Sequence, residues 1–235
     1  MEWYYIVLIC LGTLAVWIAL SALLYRPFFK RFYDFTLSLL ALIALSPVLL
    51  LLTVIGAIVM RGNPFFVQPR PGRVGKKTGQ EKIFPLVKFR TMTNAKDKSG
   101  NLLPDEDRLT KYGKFLRVTS LDELPELFDI LVGHMSIIGP RPLLVQYLPA
   151  YTEKERLRHT VRPGLTGLAQ VNGRNYLPWD ERLAFDVVYV QKITLWSDMA
   201  ILFKTVLNVL RHKDVAIDTA AIDEGFLDEI RGVHK

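Results

Sequence analysis

Two long apolar stretches near the N-terminus constrain this chain more than any other feature. Residues 3–25 form a run of 23 without a charged side chain, and residues 35–60 form a second run of 26. Each exceeds the roughly 18 apolar residues that mark a candidate membrane helix. The first stretch has no basic region before it and no small-x-small cleavage site after it. We therefore interpret it as an anchor rather than a cleaved signal peptide.

Basic residues flank the second stretch on both sides. They are Arg26, Lys30 and Arg31 before it, and Arg61, Arg70, Arg73, Lys76 and Lys77 after it. The positive-inside rule places both flanks on the cytoplasmic side. Ser46-Pro47 lies near the middle, where proline removes one backbone hydrogen bond and the serine hydroxyl can satisfy the freed carbonyl. We predict a re-entrant helix hinged at Ser46 and Pro47, and an ordinary kinked span is the alternative.

These stretches divide the chain into four expected segments. Residues 1–27 are an N-terminal transmembrane anchor, 28–61 the re-entrant membrane helix, 62–213 a cytoplasmic catalytic domain and 214–235 a C-terminal tail. The expected fold is α+β and mainly helical, with short strands and amphipathic interfacial helices. Residues 199–211 fit such a helix, with apolar positions opposite Lys204 and Arg211, although packing into the core explains that pattern equally well.

Most of the formal net charge of +7 lies after residue 60. A basic soluble region suits partners that carry phosphate, including anionic membrane lipids. The sequence contains no nucleic-acid-binding motif, so we expect no nucleic acid partner. The single cysteine, Cys10, lies in the first apolar stretch. This excludes a disulfide framework and is typical of a reducing cytoplasmic compartment.

Two extended segments are expected at residues 64–68 and 84–91, joined by a loop or hairpin connection at 69–79. Strand alternation places Lys88 and Arg90 on one face, and Val87 and Phe89 on the other. Two cations on one face can clamp a pyrophosphate. Two solvated strand residues are an equally good interpretation.

The adjacent acids Asp122 and Glu123 are the strongest candidates for chemistry. They open a predicted helix that begins after Ser120 and ends at Gly133. Ser120 and Glu123 fit a capping box, which by itself explains both acids. The first turn of a helix also attracts phosphate, so with Arg117 just upstream a carboxylate, a metal and a diphosphate could meet there. An aspartate can form a covalent phosphoryl intermediate, and a second acid can bind metal or act as a base.

A second acidic pair offers a different chemistry. Asp105 and Asp107 match the D-x-D pattern that holds a metal-bound nucleotide sugar in many glycosyltransferases. Such a tripeptide in a polar stretch is more often simply solvated. The chain has neither a P-loop nor a G-x-G-x-x-G turn, and its four histidines show no metal-ligand spacing.

Three motifs stand in order in the soluble region: 120–129 (SLDELPELFD), 134–142 (HMSIIGPRP) and 161–174 (VRPGLTGLAQVNGR). With 30–34 (KRFYD), the Ser46-Pro47 break and 87–92 (VKFRTM), they resemble the bacterial sugar transferase family, the monotopic phosphoglycosyl transferases, which are polyprenyl-phosphate sugar-1-phosphate transferases. The resemblance covers about residues 28–211. Residues 1–27 form an apparent anchor that the smallest family members lack.

The resemblance implies transfer of a sugar 1-phosphate from a UDP-sugar to undecaprenyl phosphate, with release of UMP and with Mg²⁺ as cofactor. Such a reaction would initiate glycoconjugate or polysaccharide assembly, exopolysaccharide included. It implies Asp122 as the nucleophile that forms a phosphosugar-enzyme intermediate, and Glu123 as the acid that assists the metal or the acceptor. Both acids are then metal ligands. The implied location is the bacterial inner membrane, with the catalytic domain on its cytoplasmic face.

The resemblance also implies a set of substrate-binding residues. Three cations match basic positions near the diphosphate: Lys88, Arg117 and Arg174. Arg141 and Arg162 each precede a proline, so they either bind the substrate or cap backbone carbonyls. Asp198 is expected to orient an arginine of the site, or else to be the N-cap of the following helix.

Two other classes of function remain open. A membrane-anchored lipid-binding or assembly protein could use the same fold without catalysis, and a D-x-D glycosyltransferase would release UDP instead of UMP. The identity of the sugar and the pathway do not follow from these residues. Neither does the oligomeric state, for which a homodimer is one possibility.

Overall fold

The computed structural model describes residues 3–173, 177–211 and 226–233. It begins with two long apolar helices, α1 (Trp3–Leu23) and α2 (Lys30–Met60), joined by a π-helical turn at Tyr25–Phe29. Trp17 Nε1 donates to the Tyr33 hydroxyl at 3.2 Å, across 16 residues of sequence. Residues that far apart on a straight helix would lie about 24 Å from one another. The chain therefore bends back at the π-helical turn.

Helix α2 continues through Pro47 as a single element of 31 residues. Proline has no N–H to donate to the carbonyl of Ile43. Ser46 Oγ donates to that carbonyl instead, at 2.8 Å. The predicted compensation at Ser46-Pro47 is confirmed.

Both halves of α2 pack against the soluble part of the chain. Leu42, before Pro47, lies in a buried cluster with Phe84, and Leu52, after it, lies in another with Phe89. The other side of the helix exposes large apolar residues: Phe35, Leu39, Leu40, Ile43, Leu50, Leu51, Val54 and Ile58. Helix α2 thus has one face on the protein and another apolar face outside it, as a membrane-associated helix requires.

An antiparallel hairpin of β1 (Phe65–Val74) and β2 (Glu81–Phe89) follows, with Phe66 opposite Lys88 and Arg70 opposite Phe84. Strand β1 is longer than predicted and includes much of the expected loop at 69–79. Pro69 and Pro71 do not end it, because each strand of a two-stranded ribbon has an outer edge where a backbone N–H is not needed.

The remaining elements are short helices and one small parallel strand pair. They are α3 (Asp105–Arg108), α4 (Lys111–Thr119), α5 (Glu126–Val132), β3 (Ser136–Ile138), α6 (Glu153–Arg156), β4 (Gly164–Thr166), α7 (Leu168–Val171), α8 (Trp179–Gln191), α9 (Leu195–Leu210) and α10 (Leu227–Ile230), with 3-10 turns at Leu121–Glu123, Val145–Ala150 and Leu157–Thr160. Strand β3 pairs with β4. The predicted mainly helical fold with short strands is confirmed.

The predicted helix from Ser120 to Gly133 is wrong in its first part. Ser120 ends α4 in the left-handed conformation, with φ 56°, and its side chain makes no capping bond. A 3-10 turn follows, and α5 starts only after Pro125, which has no N–H to donate to the carbonyl of Leu121. The capping box is therefore absent. The end of the helix at Gly133 is confirmed, with φ 91°.

A buried group of side chains, which we call the anchor network, joins the start of α2 to the soluble region. It consists of Tyr25, Lys30, Asp34, Ser136, Tyr189 and Asp198. Lys30 Nζ donates to Asp198 Oδ2 at 2.6 Å, and the Tyr25 hydroxyl donates to the same oxygen at 2.6 Å. The Tyr189 hydroxyl lies 2.9 Å from Asp198 Oδ1. Asp34 accepts from Ser136 Oγ at 2.8 Å and from the backbone N–H of Ile137 at 2.9 Å.

The predicted role of Asp198 is therefore corrected. Its hydrogen-bond partners are a lysine and two tyrosines rather than an arginine. It is not the N-cap of α9 either, since Thr194 and Ser197 form that capping box. The spacing of Asp198 from the helix start suggested a cap, but its side chain is buried toward residues that lie far away in the sequence.

Candidate active site

A cavity of about 320 Å³ opens on one face of the β1–β2 hairpin. Alternate residues of the two strands and the residue after β2 line it: Phe66, Gln68, Arg70, Leu86, Lys88 and Arg90; Phe89, predicted on the other face, borders it as well. Side chains two residues apart in a strand point the same way, and directly opposite residues of antiparallel strands share a face. The prediction that Lys88 and Arg90 share a face is confirmed.

The chain around Ser120 forms the other side of this cavity. Arg117 comes from the last turn of α4, and Asp122 from the 3-10 turn that follows. Because Ser120 takes the left-handed conformation, the chain turns sharply between these two side chains, and both line the cavity. Arg117 Nε donates to Thr91 Oγ1 at 3.2 Å. The cavity thus combines two carboxylates, those of Asp122 and Asp105, with several cations.

Glu123 is held by two cations. Lys88 Nζ and Arg141 Nη2 both donate to its Oε1 oxygen, each at 2.7 Å. Burial raises the pKa of Glu123, but Arg141 and Lys88 outweigh that effect and hold the pKa below its ordinary value. Glu123 is therefore ionised and fixed in place at neutral pH.

Asp122 differs from its neighbour because its carboxylate forms no hydrogen bond or ion pair within the described part of the chain. Burial, reinforced by the charge of Glu123, raises the pKa of Asp122 to about 6, and the surrounding cations oppose this shift. The carboxylate is thus mostly ionised at neutral pH, faces a cavity and has free oxygen lone pairs. These are the properties of a nucleophile.

Two residues of this site escaped the sequence analysis. Glu126 Oε1 lies 3.0 Å from Lys88 Nζ, and burial followed by the charge of Glu123 raises the pKa of Glu126 to about 7. Arg70 lines the cavity, where burial and the nearby Arg141 lower its pKa to about 10. A signal existed for both. Glu126 lies three residues after Glu123, a spacing that brings two side chains to the same side of a helix. Arg70 lies on the strand that pairs with the one carrying Lys88.

The other predicted site residues lie in different places. Arg162 is outside the cavity lining and caps a helix end, since its Nε donates to the Gly133 carbonyl at 2.8 Å. Of the two predictions for Arg162, the structure supports the one in which it caps a backbone carbonyl rather than the one in which it binds substrate. Arg174 is outside the described residues. Asp105 lines the cavity but forms an ion pair with Arg108, whereas Asp107 does not line it.

The carboxylate oxygens at and beside Asp122 suit a magnesium ion that arrives with a phosphorylated substrate. Asp122 offers a free carboxylate, and Glu123 offers Oε2, which has no partner within the described ranges. Residues 3–173, 177–211 and 226–233 hold no group of three or more His, Cys, Asp or Glu side chains that could bind a metal alone. Mg²⁺ commonly uses one or two carboxylates, waters and substrate phosphates, so the fit depends on phosphate oxygens.

Two apolar helices and a cavity that holds a free carboxylate among cations are typical of a membrane-associated enzyme that acts on an anionic substrate. The model of the family described as bacterial sugar transferase matches residues 25–212. The chain is 48% identical over 182 residues to the uncharacterized sugar transferase EpsL of Bacillus subtilis (strain 168), and the match covers 77% of this chain and 87% of that protein. This chain belongs to the bacterial sugar transferase family.

Two longer relatives carry names that state an activity. The undecaprenyl-phosphate galactose phosphotransferase of Salmonella typhimurium is 39% identical over 203 residues, a match that covers 79% of this chain and 41% of the relative. The UDP-glucose:undecaprenyl-phosphate glucose-1-phosphate transferase of Klebsiella pneumoniae is 40% identical over 195 residues, with the same two coverages, 79% and 41%. The chain thus spans less than half the length of these two proteins. The comparisons make it a transferase of phosphorus-containing groups, and its two apolar helices agree with a membrane protein.

Proposed function

We propose that this protein transfers a sugar 1-phosphate from a UDP-sugar to undecaprenyl phosphate, releases UMP, and works through a covalent intermediate on Asp122. The observation that carries the proposal is the contrast between two neighbouring acids. Glu123 is bonded to two cations, whereas Asp122 is free in the cavity with a raised pKa of about 6. The reaction would open the assembly of a bacterial polysaccharide or other glycoconjugate.

In the first step, an Asp122 carboxylate oxygen attacks the phosphorus that bears the sugar. A bond forms between that oxygen and phosphorus, the bond to the bridging oxygen of the diphosphate breaks, and UMP leaves with the electron pair. No proton needs to move, because Asp122 is ionised. Lys88, Arg90 and Arg117 line the same cavity and would balance the charge that develops on the phosphate oxygens.

In the second step, a phosphate oxygen of undecaprenyl phosphate attacks the same phosphorus. The Asp122–phosphorus bond breaks, its electron pair returns to the carboxylate, and the undecaprenyl diphosphate sugar is formed. Glu123 keeps Lys88 and Arg141 beside Asp122 through the cycle. Asp122 and Glu123 would hold Mg²⁺ together with phosphate oxygens of the substrate, and the ion would supply further positive charge at the diphosphate.

Two measurements test this function. With a UDP-sugar labelled in the β-phosphate and no acceptor, the protein is expected to become labelled, and hydroxylamine should remove the label because an acyl phosphate is reactive toward it. Turnover should release UMP and depend on added Mg²⁺ after treatment with EDTA. Release of UDP, or unlabelled protein that still turns over, would contradict the covalent mechanism and favour the D-x-D alternative.

We also propose that α2 is re-entrant and that the catalytic part faces the cytoplasm of the bacterial inner membrane. The support is the packing of both halves of α2, at Leu42 and at Leu52, on the same soluble region. A span that crossed the bilayer completely would place part of that region within the hydrocarbon. In a Cys10→Ser background, Lys77→Cys should react with an impermeant maleimide only after the inner membrane is permeabilised. Labelling in intact spheroplasts would exclude the re-entrant arrangement.

A further inference from the structure

A second cavity, of about 270 Å³, lies between α8 and α9. Its walls are largely apolar and include Leu168 from α7, Val188 from α8 and Ile201 from α9. It shares no lining residue with the cavity that holds Asp122. Val188 is 49% exposed, so the cavity opens at the protein surface. We call it the α8–α9 cleft.

The polar atoms around the α8–α9 cleft are engaged, apart from two ammonium groups. The Tyr189 hydroxyl lies 2.9 Å from Asp198 Oδ1, and Ser197 Oγ lies 2.9 Å from the Thr194 carbonyl oxygen.

Lys192 and Lys204 line the cleft through their aliphatic stems, and neither ammonium group has a hydrogen bond or ion pair to any residue that the structure describes. The lining contains no carboxylate. A ligand that matches this cleft has an apolar body and a negative head.

The position of α9 indicates where such a ligand comes from. The helix exposes six large apolar side chains, Leu202 and five others at spacings of three and four residues: Trp196, Met199, Phe203, Val206 and Leu210. They form one stripe, and Lys204 lies about 80° beyond its Trp196 edge, on the side where Ala200 also lines the cleft. Helix α9 also contacts the apolar helix α1. An amphipathic helix with basic residues beside its apolar face is typical of the headgroup region of a membrane, so the cleft opens at that level.

We propose that the α8–α9 cleft binds an anionic phospholipid of the surrounding bilayer, with an acyl chain against its apolar wall and the phosphate at Lys192 and Lys204. The polyprenyl acceptor is a poorer match, because its phosphate must reach Asp122 in the separate cavity. A bound phospholipid would hold α9 at the membrane. Since α9 carries Asp198, the partner of Lys30 in the anchor network, the lipid would also stabilise the junction of α2 with the soluble region.

The test is retention of lipid by the full-length protein released from nanodiscs that contain phosphatidylglycerol and phosphatidylcholine. Native mass spectrometry should detect phosphatidylglycerol on the wild-type protein. One lysine near an anionic surface is worth about a fivefold change in affinity, so the double variant Lys192→Gln/Lys204→Gln should retain over tenfold less. The matched control, Lys77→Gln/Lys98→Gln, removes two exposed lysines elsewhere and should behave as wild type.

A second variant distinguishes lipid binding in the cleft from general attraction of lipid to positive surface charge. Ala200→Trp fills the cleft but keeps both lysines, and it should also lose phosphatidylglycerol while its thermal unfolding in detergent stays cooperative. Equal retention by the cleft variants and the control would overturn the proposal. So would preferential retention of undecaprenyl phosphate, which would make the cleft an acceptor site, or loss of a dimer in the cleft variants, which would make it an interface between two copies.

Discussion

The anchor network and the Asp122 cavity contain the same kinds of charged side chains, but these side chains have different roles. In each, a carboxylate meets a lysine and further donors in a partly or fully buried setting. In the anchor network both oxygens of Asp198 have partners, and so do both oxygens of Asp34. In the cavity, Glu123 is bonded in the same way, but Asp122 beside it has no partner among the described residues.

This difference separates structural acids from chemical ones. A buried carboxylate with all its bonds made is stable as an anion and has little left to offer a substrate. A carboxylate that is partly desolvated and unbonded keeps its lone pairs and a raised pKa, and such groups concentrate at functional sites. The comparison predicts which variants lose turnover and which lose stability.

The largest effect is expected for Asp122→Asn. Turnover should fall by about four orders of magnitude or more, because the amide is not a nucleophile. The unfolding temperature should stay the same or rise slightly, since the side chain loses no partner. UMP release and thermal unfolding measure the two effects. Asp105→Asn, which changes another acid of the same cavity, is the control and should stay within about tenfold of wild type; comparable turnover in both variants would contradict the nucleophile assignment.

Asp198→Ala should show the opposite behaviour. It leaves Lys30 and Tyr25 buried without their shared acceptor, a change that typically costs about 3–5 kcal/mol of stability. The unfolding temperature in detergent should drop strongly, while turnover per folded molecule remains. Asp180→Ala is the matched control, since Asp180 is 87% exposed in its ion pair with Arg231 and should contribute under about 1 kcal/mol. If the two variants unfold at the same temperature, the anchor network is not a stabilising element.

Glu123→Gln tests the acid between these extremes. The amide keeps the shape but weakens the hold on Lys88 and Arg141, and we expect roughly a hundredfold loss of turnover. The pKa of Asp122 should fall, because Glu123 raises it and the two released cations lower it. The acid limb of the pH profile would then move to lower pH. A profile that does not move would show that Glu123 does not tune Asp122.

The next smaller effect is the pH dependence of turnover by the wild-type protein. Asp122 attacks only when ionised, and its raised pKa of about 6 means that the protonated form grows as the pH falls through that value. Turnover should then decrease about tenfold per pH unit on the acid side. Because Asp122, Glu123 and Glu126 interact, the apparent pKa belongs to the group of three. Constant turnover between pH 5 and 8 would contradict this description.

Tyr189→Phe should have the smallest effect. It removes one of the donors to Asp198 and leaves the others in place, so the loss of stability should be about 1 kcal/mol. Thermal unfolding is again the measurement, with Tyr5→Phe on the exposed part of α1 as the control. A loss as large as that of Asp198→Ala would mean that the hydroxyl of Tyr189, rather than Lys30, dominates the network.

Much of this architecture was predictable from local patterns. The apolar stretches, the bond from Ser46 to the Ile43 carbonyl, the end of α5 at Gly133 and the shared face of Lys88 and Arg90 all depend on residues close in the sequence. The capping box failed for a local reason as well. Ser120 takes the left-handed conformation that ends α4, so its side chain does not cap a following helix, and Pro125 has no N–H with which to extend α5 backward.

The sequence alone therefore determined that the chain carries two apolar helices, that it resembles the bacterial sugar transferases, and that Asp122 and Glu123 are its central acids. Only the tertiary structure decided how these acids divide their roles. Glu123 is fixed by Lys88, 35 residues before it, and by Arg141, 18 residues after it, while Asp198 finds Lys30 across 168 residues. Whether a carboxylate is bonded or free depends on side chains that only the folded chain brings together, and no local pattern encodes that.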